Sequence, residues 1–316
     1  MVGICKFIKD SNKSKLLVIL LVITSILLSS CIDNQENIEI DLNKTTQEIV
    51  RYSPEDPNVV YFGFDFPEDP QKDARIYASF LQYLSKETGR TFKIYFTSKN
   101  ETTQDNLGKG ITQFAVLDAL SHIKAHDENG VICITRNSNV DDNNNHIAVI
   151  VTQWNSNITE LKDMRGKSFC FGSFDSAQGH LIPRKMLEDA TIRLLNLKHY
   201  VYTETHSQCA EAVIKDEYDA GVMDDTLAFS LAKEKKLRII AVSDHYPNYG
   251  ISANKDVDIG LLEDVKQALL DFKPEGKHAG NLIDWDKTEM AYGFIEVNES
   301  NYTELRNLAI KYGVIE

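Results

Sequence analysis

The residues best suited to chemistry cluster between positions 167 and 189. That stretch reads Lys-Ser-Phe-Cys-Phe-Gly, then Ser-Phe-Asp-Ser-Ala-Gln-Gly-His, then Leu-Ile-Pro-Arg-Lys-Met-Leu-Glu-Asp. An apolar run, a small-residue turn and a helical pattern predict a strand, a loop and a helix start. Asp175 or Ser176 can cap the helix, and Pro183 near its beginning forgoes only an N–H that would lack a partner. Free amides around Ser176 would then point at one spot bearing about half a positive charge, a good seat for an anion. Gly179 would let a ligand approach the backbone there. The same residues also fit an ordinary capped helix behind a buried strand.

Two other constellations compete. Asp118, His122 and His126 recur at i, i+4 and i+8, one face of a helix, and His180 and His206 could approach them from elsewhere in the fold. Imidazoles with a carboxylate make a zinc-type donor set, and they equally make a solvated helix face. Ser176 near His180 offers a nucleophile and a base, but spacing supplies no acid partner. There is no Gly-x-Ser-x-Gly elbow, P-loop, His-Glu-x-x-His or complete glycine-rich dinucleotide fingerprint, so no enzyme is expected.

The elements that must position these residues alternate. Apolar runs predict strands at 59–64, 92–96, 114–117, 131–135, 147–152, 168–171, 199–202, 220–223 and 238–242. Between and after them, helical patterns cover 71–88, a segment from about 118, 181–195, 207–216, 226–235, 261–272 and 302–312. Such alternation implies an α/β fold with mainly parallel sheet covered on both faces.

The ends and totals bound the setting. Lys6, Lys9, Lys13 and Lys15 precede an apolar run at 16–28, followed by Ser29, Ser30 and Cys31. This is the pattern of a lipoprotein signal peptide over residues 1–30, with Cys31 as the lipid-bearing first residue of the mature chain. The alternative is an uncleaved anchor, but the helical run would span only about 20 Å of a hydrocarbon layer about 30 Å thick. Residues 31–57 are polar and read as a tether. The net charge is -13, and the first 30 residues hold four Lys and one Asp, which leaves -16 for the rest. That balance disfavours nucleic acid, whose binding needs basic patches. Cys133, Cys170 and Cys209 form no close pair, and free buried thiols are expected.

From Phe171 the chain reads Phe-Gly-x-x-Asp-Ser-x-x-Gly-His-Leu-Ile-Pro-x-x-Met-Leu, which resembles the signature turn of the phosphate/phosphonate solute-binding proteins of ABC transporters. Segments 61–70, 77–89, 161–169 and 217–225 resemble the same family in the same order, so the likeness covers about residues 59–275. The resemblance implies a two-lobe periplasmic-binding-protein type II fold with mainly parallel sheets. Lobe 1 would hold residues 58–153 plus 246–316 and lobe 2 residues 154–245, with a hinge near Thr152 and 242–247. It also implies a small oxyanion bound in the cleft, an ABC permease as partner, a monomer and no cofactor.

Site residues follow position by position. The family's Ser-Thr-Ser triplet falls on Ser176, Ala177 and Gln178, so two of three hydroxyls are replaced, and Gly179 and His180 follow. His206 matches the family's ligand histidine. Leu117 stands where the family has an aromatic ring, with Asp118 and Ser121 beside it. Tyr249 takes about the place of the acid that amine-recognising members carry, so an aminoalkyl ligand would need Asp224 or Asp225 instead. Two other functions remain open: a zinc receptor built on Asp118, His122 and His126, and a tethered sensor or interaction module that has kept the fold.

Overall fold

Val59–Phe64 is the strand on which the first sheet is built, since Val60, Tyr61, Phe62 and Phe64 are all buried. The computed structural model describes residues 39–40, 49–50, 56, 58–65, 69–138 and 145–316. The expected signal peptide, Cys31 and most of the tether lie outside the described residues. Residues 37–316 form one unit.

Strands are numbered in chain order. The first sheet holds β1 (Glu39–Ile40), β2 (Ile49–Val50), β3 (Val59–Phe64), β4 (Thr91–Phe96), β5 (Phe114–Leu117), β6 (Ile132–Asn137), β14 (Gly250–Ala253) and β15 (Phe294–Ile295). Its order is β15-β6-β14-β5-β3-β4-β1-β2. Within the stretch expected to be a tether, β1 and β2 thus extend the sheet, β1 pairing antiparallel with β4. The second sheet holds β8 (Ala148–Gln153), β9 (Ser168–Phe171), β10 (His199–Tyr202), β11 (Ala220–Asp224) and β12 (Leu237–Val242), in the order β10-β9-β11-β8-β12.

The α/β class and two-lobe architecture stand, with sheets that are mixed instead of mainly parallel. β3 runs parallel to β4 and β5, and β9 parallel to β10 and β11. β14 and β8 run against their neighbours. These two are the strands by which the chain enters each sheet from the other.

The two crossings are residues 138–147 and 243–249. Within them β7 (Asn145–His146) and β13 (Tyr246–Pro247) pair antiparallel. Thr152, expected at the hinge, lies inside β8 with its buried hydroxyl donating to Asp219 O at 2.7 Å. The first crossing therefore precedes β8, and β8 belongs to the second sheet although the sequence division ended lobe 1 at residue 153.

Eight α-helices are described: α1 (Pro70–Thr88), α2 (Thr103–Gly108), α3 (Ala119–Asn129), α4 (Ile182–Asp189), α5 (His206–Ile214), α6 (Asp225–Lys233), α7 (Ile259–Asp271) and α8 (Thr303–Lys311). α1 starts where Asp69 accepts Lys72 N–H and Pro70 needs no partner, and ends at Gly89 with φ 67°. Its Phe80 packs in the first core against the rings of Phe62, Phe272 and Trp285. A second core joins Ile150, Phe169, Phe171, Leu181 and Val222 to Leu305 and Leu308 of α8 and to Leu120 and Ile123 of α3. The last helix thus touches elements of both sheets. Cys133, Cys170 and Cys209 are free and buried. No helix among the described residues is long and apolar enough to cross a membrane.

Candidate ligand cleft

In folds of this kind ligands sit outside the carboxyl ends of the strands. At the end of β9, Gly172 N–H donates to Gly179 O at 2.9 Å. A Cβ on Gly179 would lie 2.9 Å from Gly172 Cα and 3.1 Å from Ser173 N. Backbone packing on backbone is thus enough to require glycine at 179. Ser176 Oγ accepts Gly179 N–H at 2.9 Å. The chain then makes a π turn, Ala177–Leu181, in which the His180 and Leu181 amides both reach Ser176 O. Among the described residues the Ala177 and Gln178 amides keep no protein acceptor, and Ser176 retains a hydroxyl proton. Amides and a hydroxyl at a helix start are the donor types that suit an anion.

The neighbouring side chains serve other ends. Ala177 is part of the core. Gln178 Nε2 donates to Ile147 O at 2.8 Å, tying the turn to the first crossing. His180 is fully buried, held by Phe174 O at 2.9 Å and the Tyr202 hydroxyl at 3.0 Å, and burial depresses its pKa. His206 opens α5 beside Gly172, and its Nδ1 is buried without a partner. Burial lowers its pKa more than Asp224 and the Val222 backbone raise it, which favours the neutral ring. Asp224 caps α6 by accepting Leu227 N–H at 2.8 Å and is the acid whose field reaches His206, while Asp225 opens that helix.

The first sheet presents a different wall. Phe64, Phe96 and Val116 at the ends of β3, β4 and β5 border a concavity of about 340 Å³, whose remaining lining is Asp65, Asp69, Lys72, Asp73, Tyr77, Tyr249 and Glu289. The Phe64 and Tyr77 rings stack at 4.0 Å. Water reaches Asp65 and Glu289, yet protein encloses them enough that burial raises both carboxyl pKa values. For Asp65 the hydroxyl of Thr103 offsets part of that rise and Asp118 adds to it. For Glu289 its own backbone opposes the rise, and Asp65 and Asp73 add to it. Burial, reinforced by Asp118 and Glu289, also pushes the Tyr249 phenol upward. Four carboxyl groups against one lysine, floored by aromatic rings, suit a cation and repel a dianion.

Leu117 is not in this wall; its side chain packs with Leu107, Ala125 and Val131. Neighbouring residues of a strand face opposite sides, so Val116 takes the cleft position. Asp118 caps α3 by accepting Leu120 and Ser121 N–H at 2.8 and 3.1 Å, and Ser121 Oγ donates to it at 2.6 Å. The expected metal face divides accordingly, since His122 and His126 meet Glu299 and not Asp118. Asp65, Asp73, Tyr77 and Glu289 were not anticipated from sequence. The place of Asp65, just past an apolar parallel strand, was a usable signal; Glu289 offered none.

Residues 62–302 match the family model described as ABC transporter, phosphonate, periplasmic substrate-binding protein. The chain is 22% identical over 171 residues to a probable ABC transporter phosphite binding protein, PhnD1, of Prochlorococcus marinus (strain MIT 9301); the match covers 51% of this chain and 57% of that relative, little more than half of its length. The structure of PhnD1 from Prochlorococcus marinus (MIT 9301) in complex with methylphosphonate superposes with a TM-score of 0.65 at 19% identity, covering 82% of this chain and 100% of that one. The periplasmic aliphatic sulphonate binding protein SsuA from Escherichia coli gives 0.56 at 12% identity, covering 82% and 89%. Both likenesses speak to the fold, a type II periplasmic binding protein. With the family model matched across most of its length, the chain belongs to the phosphonate periplasmic substrate-binding proteins of ABC transporters.

Proposed function

We propose that this chain is the monomeric, extracytoplasmic solute receptor of an ABC transporter, tethered by lipid on Cys31, and that its ligand is a small phosphonate-type oxyanion carrying an ammonium group. The anionic end would rest on the Ala177 and Gln178 amides, the Ser176 hydroxyl and neutral His206. Hydrogen bonds to a charged group contribute about 1.5–3 kcal/mol each, so these donors offset the two hydroxyls replaced at 177 and 178. The ammonium end would face Asp65, Asp73 and Glu289 beneath the Phe64 and Tyr77 rings. Closure about the two crossings would join the walls and offer a changed surface to a permease.

The observation that supports this reading is the contrast between the two regions, with backbone and hydroxyl donors at one and four carboxyl groups against one lysine at the other. It differs from the sequence expectation, in which an aminoalkyl ligand would need Asp224 or Asp225. A thermal-shift panel on the full, metal-stripped chain tests it, with phosphate, phosphite, methylphosphonate, 2-aminoethylphosphonate, sulfate and zinc. A ligand at 100 times its Kd adds about 2.7 kcal/mol of stability. The largest shift should come from 2-aminoethylphosphonate. A zinc-only shift would favour the metal receptor, and no shift at all would favour the tethered module.

A further inference from the structure

A second cluster of chemistry-bearing side chains lies where α3 meets the segment that leads into α8. His122 and His126, one helical turn apart, face Glu299, and one donor atom from each side chain lies within 4.8 Å of the other two. His122 Nε2 stands 3.3 and 3.4 Å from the two Glu299 oxygens.

His122 Nδ1 is 3.1 Å from the buried Ser252 hydroxyl, and His126 Nδ1 is 2.9 Å from Val131 O and 3.8 Å from Glu299 Oε1, which leaves His126 Nε2 as the nitrogen free to take a metal. A carbonyl only accepts, so His126 carries its proton on Nδ1 and its lone pair on Nε2. Hydrogen bonds from the second nitrogen are how metal-binding histidines are oriented.

We propose that His122, His126 and Glu299 form a divalent-metal site that takes zinc. Two histidines at i and i+4 plus a carboxylate from another segment make a three-ligand set that leaves one position for water. Two imidazole donors favour zinc over magnesium or calcium, which prefer oxygen donors. Arg306 lies 3.5 Å from Glu299 and also pairs with Asp127 at 2.5 Å, so it keeps a carboxylate partner when Glu299 turns to the metal. Bound zinc would fasten α3 to the entry of α8, the helix that packs against both sheets. This site is independent of the ligand reading, because none of its residues lines the acidic concavity.

The test is calorimetric titration of the full, chelator-stripped chain with zinc, together with the visible spectrum of its cobalt(II) form. Wild type should bind one equivalent and give an intense low-coordinate cobalt band. His126→Ala and Glu299→Gln, both at partly exposed positions, should weaken zinc at least tenfold, while His199→Ala on an exposed strand should not. Affinity for 2-aminoethylphosphonate should stay within threefold of wild type in both site variants. Absence of saturable zinc binding, or binding that both variants leave unchanged, would overturn the proposal.

Discussion

The strand-end regions of the two sheets are built alike and differ in charge. Each is a set of strand ends followed by a capped helix start, Phe64 to Asp69 on one side and Phe171 to Ser176 on the other. On the second wall a serine caps the turn, and bare amides and a neutral imidazole remain. On the first, an aspartate caps α1 and further carboxyl groups crowd behind it. The side chains that flank the helix start decide which sign of charge each region suits, and under the proposed function a ligand that spans both would be dipolar.

The largest effect should come from neutralising the acidic wall. Replacing Asp65 by Asn and Glu289 by Gln removes two charged acceptors at about 1.5–3 kcal/mol each, a loss of roughly a hundredfold or more for an ammonium-bearing ligand. Methylphosphonate affinity in the same variant should hold or improve, and calorimetry on both ligands reads the difference. A parallel loss for both would mean that the walls do not divide the work.

Next comes the frame of the opposite wall. Gly179→Val forces a side chain against Gly172 Cα, and such overpacking costs about 1–3 kcal/mol. The melting temperature should fall by several degrees in a scanning calorimeter, and anion binding should go with it. An unchanged melting temperature would show that the Gly172–Gly179 contact is not structural. His206→Gln should be milder, weakening methylphosphonate and aminoethylphosphonate by a similar factor of about tenfold, the value of one hydrogen bond to a charged group. A loss confined to one ligand would put His206 on the wrong wall.

The gentlest probe is pH. Asp65 and Glu289 have folded pKa values raised by burial, so their contribution to stability is present at acid pH and lost as pH rises through those raised values. An ammonium group favours the ionised forms, so its affinity should run the other way, falling as pH drops below the raised values by roughly tenfold per unit for each group that takes up a proton. Methylphosphonate, titrated in parallel, should lack that added slope.

Much of the fold was legible because local pattern decides it. Strands Val59–Phe64, Phe114–Leu117, Ser168–Phe171 and His199–Tyr202 fall where apolar runs meet turn residues. Pairing direction was not legible, since nothing within Gly250–Ala253 says that it inserts antiparallel between β5 and β6. The helix expected at 181–195 stops at Asp189, and Thr191 turns the chain with φ 64°, although Leu194 continues the apolar pattern in a separate turn. The short, polar helix Thr103–Gly108 carried too little periodicity to be seen.

The cleft was half legible for the same reason. Ser176 and His206 lie in motifs whose spacing is local. Asp65 and Glu289 stand 224 positions apart and resemble any surface carboxylates until the fold sets them together. Family likeness pointed to this turn but did not reveal that Gln178 and His180 bind the protein's own carbonyls.

One titration bears most directly on the contrast between the walls: 2-aminoethylphosphonate against ethylphosphonate, which differ only by the amine, in a calorimeter with the full chain at neutral pH. Aminoethylphosphonate should bind at least tenfold tighter, as one charged hydrogen bond requires. Equal or tighter binding of ethylphosphonate would contradict the assignment of an ammonium group to the acidic wall.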